Sequence, residues 1–170
     1  MKKAKKWWIP LLLCAMLIAA LVGVVWARPK SQLGASSYKV TIPGSAFHPN
    51  YDGMNWYAGY GNIHMDGGSG EFTAAVPMPP GRKTVQKVIL FVDDANATQT
   101  ACVSLERLKV DGTSSSMAYV CSPVGTSGGI QSYSDETISP SIIRGRHTQY
   151  LYLDIYGTNI DVWAVRIVYD

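Results

Sequence analysis

Three aromatic side chains lie close together between Asn55 and Tyr60, and a histidine follows a few residues later. The four residues are Trp56, Tyr57, Tyr60 and His64. Flat aromatic rings flanked by amides are a common means of stacking sugars in β-sandwich proteins. Core packing, or coverage of the outer face of a sheet, is the commoner role of such rings. Packing is therefore the expected role of this segment, and a ligand-binding site for glycan is the alternative that its residues allow.

Three oxygen-bearing side chains occur in a second short segment, at Asp93, Asp94 and Asn96. Carboxylate and amide oxygens are ligands of calcium, and a predicted loop could place them around one ion. The segment does not have the regular spacing of a known calcium-binding loop, and Asp and Asn are also common turn residues. We therefore expect these residues to form a turn and the protein to need no cofactor, with calcium binding as the alternative. No other metal site is expected.

Catalytic machinery is not identified. The run Gly125-Thr126-Ser127-Gly128-Gly129 matches G-x-S-x-G, but a nucleophile elbow needs a strand followed by a helix, and no helix is predicted here. The histidines belong to separate segments, at positions 48, 64 and 147. We expect a flexible turn and a non-catalytic protein. A secreted hydrolase with an unrecognised site remains the alternative.

Two cysteines, Cys102 and Cys121, lie in the part of the chain that is expected to be exported. If Asp111-Gly112 is a two-residue hairpin turn, Cys102 and Cys121 face each other across the two strands. Directly opposed residues of an antiparallel pair are close enough for a disulfide. The register predicts this bond. The serines at 114–116 could instead lengthen the loop and shift the register.

The surrounding elements are predicted to be strands. Turn signals recur about every ten residues, with Val-, Ile-, Tyr- and Thr-rich runs between them, and no sustained helical period follows residue 37. This pattern predicts an all-β fold, a single antiparallel β-sandwich of the jelly-roll-like kind. The expected strands are 38–42, 55–65, 70–77, 84–93, 101–110, 115–123, 130–138, 148–156 and 160–169.

Several of these strands are apolar on both faces, which an ordinary surface strand is not. The run from Val88 to Val92 has no polar residue, and the last two strands also have apolar residues on both faces. If Phe91 and the tyrosines at 150, 152 and 156 share one sheet, they form a band larger than monomers normally expose. We expect a cover, either the segment 47–64 or a second protomer in a homo-oligomer.

The first 27 residues have the character of an export segment. Four lysines precede a charge-free apolar run of 20 residues, 7–26, which is long enough to cross a bilayer as a hydrophobic helix. Signal peptides have a shorter apolar core, about 7–15 residues, although Val25-Trp26-Ala27 suits signal peptidase. Residues 1–27 are therefore a signal anchor in the cell membrane, or a signal peptide cleaved after Ala27 from a secreted protein. A spacer, 28–37, and a β-sandwich domain, 38–170, follow.

The charge of the exported part excludes one class of partner. The net charge of +3 includes four lysines of the N-terminal segment, which leaves 11 basic against 12 acidic residues from Arg28 onward. Nucleic-acid binding requires a concentrated basic surface. No nucleic-acid partner is expected.

A recurring order of short motifs resembles a family of exported bacterial jelly-roll-like β-sandwich proteins, mostly uncharacterised. The family has an F-x-AP-V-x-LP-x-G-A strand–turn–strand and a closing G-V-R-I-x-Y strand. The corresponding stretches here are Ile42-Pro43, Ala46–Pro49, Gly70–Phe72, Val76–Gly81, Asp93-Asp94 and Val165–Tyr169. The resemblance runs from Val40 to Tyr169 and implies a fold, with no catalytic residues to carry over.

Together these features predict a non-catalytic exported or membrane-tethered β-sandwich for binding or assembly at the cell surface. Its partners would be the membrane through residues 7–26 if that segment is retained, and a glycan or a surface protein. A purely structural, oligomerising jelly roll is a further alternative.

Overall fold

The computed structural model describes residues 37–81, 83–125, 128–142 and 147–170. Ser37–Asp170 is one compact unit. Eleven strands lie in the described part. They are β1 Tyr38–Pro43, β2 His48–Pro49, β3 Trp56–Ala58, β4 Ile63–Met65, β5 Gly70–Ala75, β6 Val85–Asp94, β7 Ala101–Lys109, β8 Ser114–Cys121, β9 Gln131–Asp135, β10 His147–Ile155 and β11 Ile160–Tyr169. A 3-10 turn, Gly44–Ala46, follows β1.

The strands form two antiparallel sheets. The first has the order β3-β4-β11-β6-β9, with β1 also paired to β11. The second has the order β2-β5-β10-β7-β8. One hydrophobic core unites buried residues of both sheets, and Trp56 of the first packs edge-on against Phe72 of the second, with ring centroids 5.8 Å apart. The expected all-β sandwich is confirmed.

The predicted N-terminal hydrophobic helix, with its membrane segment and cleavage site, lies outside the described residues. Within the described ranges, no helix is long and apolar enough to span a membrane.

Alternation along each strand supplies the core. In β10, Leu151, Leu153 and Ile155 are fully buried, whereas the residues between them are only partly buried. Tyr169 at the end of β11 is also fully buried, and its hydroxyl donates a hydrogen bond to Oε1 of Gln149 at 3.0 Å. A buried hydroxyl and a buried amide thus satisfy each other, as interior polar groups must.

Strand β6 is apolar on both faces because its outward face is partly covered by a neighbouring strand. Val88, Leu90 and Val92 face the core and are fully buried. Phe91 faces outward and is half-buried beneath the guanidinium of Arg166, whose Cζ lies 5.0 Å from the ring centroid. Such a cation–π contact shields an aromatic ring at a surface.

The expected continuous band of aromatic side chains does not form. Phe91 belongs to β6 in the first sheet, whereas the tyrosines at 150, 152 and 156 belong to β10 and its end in the second. Because the core separates the two sheets, the two apolar surfaces face away from each other. Phe91 and the three tyrosines therefore do not share one sheet, which was the condition for one large band.

The β7–β8 hairpin confirms the predicted pairing of Cys102 with Cys121, which form a disulfide. The turn differs from the expected one. Lys109 pairs with Thr113 around a three-residue loop, and Gly112 takes the left-handed conformation, with φ of 85°. This loop shifts the register by one residue, and a bulge at Met117 shifts it back. The hairpin therefore has the longer loop near its turn and the predicted register at the two cysteines.

The single strand expected at 55–65 is wrong. Two short strands, β3 and β4, form a hairpin there, and Tyr60 lies in its loop. The next residue, Gly61, has φ of 111°, which an L side chain rarely adopts. The glycines on both sides of Tyr60 reverse the chain where the sequence pattern appeared continuous.

Candidate functional site

The outward face of the second sheet brings polar and aromatic side chains into rows across the strands. Glu71 of β5 lies opposite Asp154 of β10, and Asp154 lies opposite Cys102 of β7. Cys102 in turn is bonded to Cys121 at the sheet edge. Two carboxyl-bearing residues therefore stand side by side on adjacent strands, next to a disulfide.

A groove of about 200 Å³ lies over this pair of carboxyl groups. Three tyrosines line it with the pair, and Ser69 and Gly70 complete the lining. The tyrosines are Tyr51, Tyr152 and Tyr156. The rings of Tyr51 and Tyr156 are 51% and 43% exposed, so both are available to a ligand. The groove is smaller than the roughly 300–1,000 Å³ of pockets for drug-sized ligands, which fits a shallow surface site.

Gly70 at the start of β5 allows the chain to pack closely beneath this groove. A Cβ atom there would lie 2.5 Å from the sulfur of Met65 and 2.9 Å from the ring of Phe72. A larger residue would therefore force the side chains of Met65 and Phe72 to shift.

The two carboxyl groups have opposite electrostatic environments. Hydrogen bonds from the side chains of Tyr152 and Tyr51, and from Asn50, lower the pKa of Glu71 below its usual value. Burial, followed by repulsion from Glu71, raises the pKa of Asp154. A carboxyl group that accepts several hydrogen bonds ionises more readily, and one that loses solvent does so less readily. The groove thus pairs a firmly ionised carboxylate with one that resists ionisation.

The tyrosine hydroxyls respond to the same charges. The hydrogen bond to Glu71 raises the pKa of Tyr51 to about 12. Burial, and then the hydrogen bond to Glu71, raises the pKa of Tyr152 as well. Both phenols therefore remain protonated donors over the physiological range, and their rings are held in place by the carboxylate.

The four aromatic and histidine residues predicted to bind a ligand do not form one site. Trp56 packs towards the core against Phe72. Tyr57 and His64 pair across β3 and β4, with ring centroids 5.4 Å apart, on the first sheet. Tyr60 is fully exposed in the hairpin loop. Neighbouring residues of a strand face opposite sides, so consecutive aromatics cannot share one surface.

His64 instead takes part in a small polar cluster. Its Nε2 atom lies 3.1 Å from Oδ1 of Asp66, and its Nδ1 atom lies 3.0 Å from Oδ1 of Asp161. Asn62 donates a hydrogen bond of 2.8 Å to the same Asp161 oxygen. These contacts join the β3–β4 hairpin to β11.

The three residues predicted to bind calcium are directed to different partners. Asp93 and Asp94 are consecutive in β6, so their side chains lie on opposite faces. Asp94 is fully buried and accepts hydrogen bonds from the Ser122 hydroxyl and the Asn96 backbone. The Asn96 side-chain oxygen accepts backbone hydrogen bonds from the following turn. No group of three His, Cys, Asp or Glu residues in the described ranges could hold a metal ion.

Tyr51, Glu71 and Asp154 were not predicted from the sequence to be site residues. Asp154 interrupts the tyrosine stripe of β10, and Glu71 alternates with the buried Phe72, so each could be assigned to an outward face from the sequence. Their proximity depends on the pairing of β5 with β10, which no local pattern indicates. Thr126 and Ser127, in the G-x-S-x-G match, lie outside the described residues.

The comparisons with known proteins concern the fold. The C-terminal family 6 carbohydrate-binding module of the laminarinase LamC from Zobellia galactanivorans is similar, with a TM-score of 0.50 and 14% identity. The match covers 76% of this chain and 98% of that module. The likeness is one of β-sandwich fold.

Two further modules resemble the chain less closely. The xylan-binding module CBM86 from Roseburia intestinalis has a TM-score of 0.44 and 13% identity, and the match covers 78% of this chain and 96% of that one. The family 11 module from Clostridium thermocellum has a TM-score of 0.40 and 7% identity, with 78% and 88% covered. No protein-family model and no curated protein matches the sequence.

Proposed function

We propose that the protein is a non-catalytic glycan-binding module that is exported and held at the cell surface. The observation that carries this proposal is the groove on the second sheet, where tyrosine rings flank two carboxyl groups. Aromatic rings stack on the apolar faces of sugars, and carboxylate oxygens accept hydrogen bonds from sugar hydroxyls. The groove offers both at once, on a sheet face that strand pairing makes rigid.

The charge of the groove narrows the class of glycan. Its described lining contains Glu71 and Asp154 and no Lys, Arg or His. Placing a further negative charge beside these two carboxyl groups opposes binding. The preferred ligand is therefore a neutral or amine-bearing sugar rather than one with uronate or sulfate groups.

The position of the groove suits a tethered module. Tyr38 pairs with Tyr169 at one end of the first sheet. The groove lies near the opposite end, where Asp94 meets Ser122, the residue after β8. If residues 7–26 anchor the chain in the membrane, the groove lies at the end of the domain remote from its point of attachment.

A glycan array tests this proposal. The full-length chain, purified in a polyoxyethylene detergent that carries no sugar, should bind neutral or amine-bearing oligosaccharides and not acidic ones. Tyr152→Ala and Glu71→Gln should each weaken binding about tenfold or more, because each removes a direct ligand contact. Tyr57→Ala removes an exposed tyrosine of the other sheet and should leave binding unchanged. No binding to any glycan, or equal losses in all three variants, would refute the proposal.

Glycoside hydrolysis is the second candidate function, favoured by one observation. The environments of Glu71 and Asp154 move their pKa values apart, as in sites that combine an ionised carboxylate with a protonated acid. If the groove is catalytic, a bound oligosaccharide should be cleaved, and Asp154→Asn should abolish cleavage while retaining binding. An oligosaccharide that remains intact after prolonged incubation excludes this candidate.

A further inference from the structure

Arg107 of β7 occupies an unusual place for an arginine. It follows Val103 and Leu105 on the core-facing side of the strand, and it pairs with the buried Gln149 of β10. Charged side chains are rarely directed towards a core unless they have a partner of opposite charge. The position of Arg107 at the end of the sandwich therefore calls for a counter-charge.

Two polar atoms at this end are buried without a hydrogen-bond partner among the described residues. They are Nε of Arg107 and Oγ of Ser115. The two residues are direct partners in the β7–β8 pairing, so these atoms belong to adjacent strands on one face. Leaving a buried donor unsatisfied is costly, and native structures usually fill such places with water or an ion. The N–H group of Arg107 and the O–H group of Ser115 both lack a hydrogen-bond acceptor in the described part of the chain.

A cavity of about 430 Å³ opens beside Arg107. Its polar lining residues are Arg107, Ser139, Ser141 and His147, and its apolar lining residues are Ile138, Pro140 and Ile142. No carboxyl group is among these described lining residues. The volume lies within the roughly 300–1,000 Å³ of ligand pockets and greatly exceeds the ~30 Å³ of one water.

We propose that this cavity binds an oxyanion of the phosphate or sulfate type. A guanidinium group matches the planar geometry of such oxyanions, and serine hydroxyls add further donors. An imidazole is compatible with the same ligand. The space that one ion would leave unfilled can hold an organic group attached to it, such as the glycerol or sugar of a phosphate ester.

This site is independent of the glycan groove. Val85, which pairs with Tyr169, donates a backbone hydrogen bond to Ser141. The cavity thus lies at the Tyr169 end of the sandwich, whereas the groove lies near the opposite end. The groove contains carboxyl groups and the cavity a guanidinium group, so the two sites select ligands of opposite charge.

Thermal melting of the full-length chain in phosphate, sulfate and chloride at equal ionic strength tests the proposal. Phosphate, sulfate and glycerol 3-phosphate should each raise the Tm above its value in chloride, since a ligand that binds only the folded state stabilises it. If glycerol 3-phosphate raises the Tm at lower concentrations than inorganic phosphate does, the natural ligand is a phosphate ester. If inorganic phosphate acts at the lower concentrations, the natural ligand is the free ion.

Variants locate the effect. Arg107→Gln should weaken phosphate binding about tenfold to 100-fold, as expected for a lost charged hydrogen bond. Lys109→Gln removes the same charge from an exposed residue of the same strand and should retain the response. Arg107→Lys keeps the charge without the guanidinium fork and serves if Arg107→Gln fails to fold. It should bind phosphate about tenfold more weakly than the wild type does. Two results would overturn the proposal and indicate that water fills the cavity. One is an equal Tm in phosphate and in chloride, and the other is a phosphate-dependent rise in Tm that persists in Arg107→Gln.

Discussion

The two carboxyl groups of the groove differ in ionisation although they are neighbours across one pair of strands. Glu71 accepts hydrogen bonds from tyrosine hydroxyls, whereas Asp154 is partly buried and is repelled by Glu71. Such divergence is typical of functional sites, because a fold has little to gain from keeping a repelled carboxylate. A glycan that donates hydroxyl hydrogen bonds would relieve part of this repulsion.

Asp154→Asn should stabilise the folded protein near neutral pH. The folded-state pKa of Asp154 is raised, so its ionised form opposes folding at any pH above that value. The gain should disappear below the unfolded-state pKa of about 3.9, where Asp154 is protonated in both states. Thermal melts of the variant and the wild type between about pH 3 and about pH 8 measure the difference.

Glu71→Gln is a matched control, because it should change the Tm in the direction opposite to that of Asp154→Asn. The folded-state pKa of Glu71 is lowered, so its ionised form favours folding above the unfolded-state pKa, and that contribution is lost as the pH falls through the folded-state value. The variant should therefore melt below the wild type at neutral pH, with a difference that vanishes in acid. Changes of the same sign in both variants would contradict the assignment of opposite environments.

At the scale of elements, the β7–β8 hairpin is the unit whose pairing was predicted most closely. Its disulfide closes a loop with a sequence separation of 19 residues, and it joins the interior strand β7 to the edge strand β8. A covalent link stabilises mainly by restricting the unfolded chain, and more so for longer loops. The hairpin thus gains stability that an edge strand alone lacks.

Replacing both Cys102 and Cys121 by serine should lower the free energy of unfolding by about 3 kcal/mol. Urea denaturation measures the change, and reduced wild-type protein should denature at nearly the same midpoint as the double variant. Gly112→Asn is a useful comparison in the same hairpin, since Asn tolerates the left-handed conformation and should cost less than Gly112→Ala. An unchanged midpoint in the double variant would show that the bond contributes nothing to folding.

At the scale of the whole molecule, the sandwich separates two outer surfaces of different character. The second sheet exposes the groove, and the first exposes the face on which Arg166 covers Phe91. Neither surface joins the other across the core. The cover of Phe91 that the described residues provide comes from within the chain.

Phe91→Lys should lower the Tm by a similar amount at every protein concentration. The substitution places a second cation beside Arg166 and removes the cation–π contact, which is worth about 0.5–1 kcal/mol at an exposed site. Thermal melts over a roughly hundredfold range of protein concentration measure the change and expose any mass-action effect. A smaller particle with an intact fold would instead indicate that a second protomer covers this face.

Membrane attachment is a prediction of the sequence about residues that the structure does not describe. Cells that make the full-length chain should retain it in the membrane fraction after carbonate extraction, because a 20-residue apolar run suffices to span the bilayer. A soluble product that begins at Arg28 would show cleavage after Ala27. The proposed glycan-binding groove would then belong to a secreted protein.

Much of the fold follows from local patterns in the sequence. The tyrosines of β10 were expected on an outward face, and turn chemistry near Asp111-Gly112 predicted the partner of Cys102. These signals succeed because side-chain direction and hairpin pairing depend on residues that are close in sequence. They fail at 55–65, where glycines around Tyr60 divide an apparently continuous strand.

The sequence by itself determined most of the strand-forming segments, the hairpin disulfide and the charge of residues 28–170. Only the tertiary structure decided that β5 lies beside β10, and therefore that Glu71 meets Asp154 beneath Tyr51 and Tyr152. The same holds for Arg107 and its cavity, to which three separate segments contribute. Periodicity records the face on which a residue lies, whereas the choice of neighbouring strand depends on how the whole core packs. Sites built across strands are therefore hidden from a pattern read along the chain.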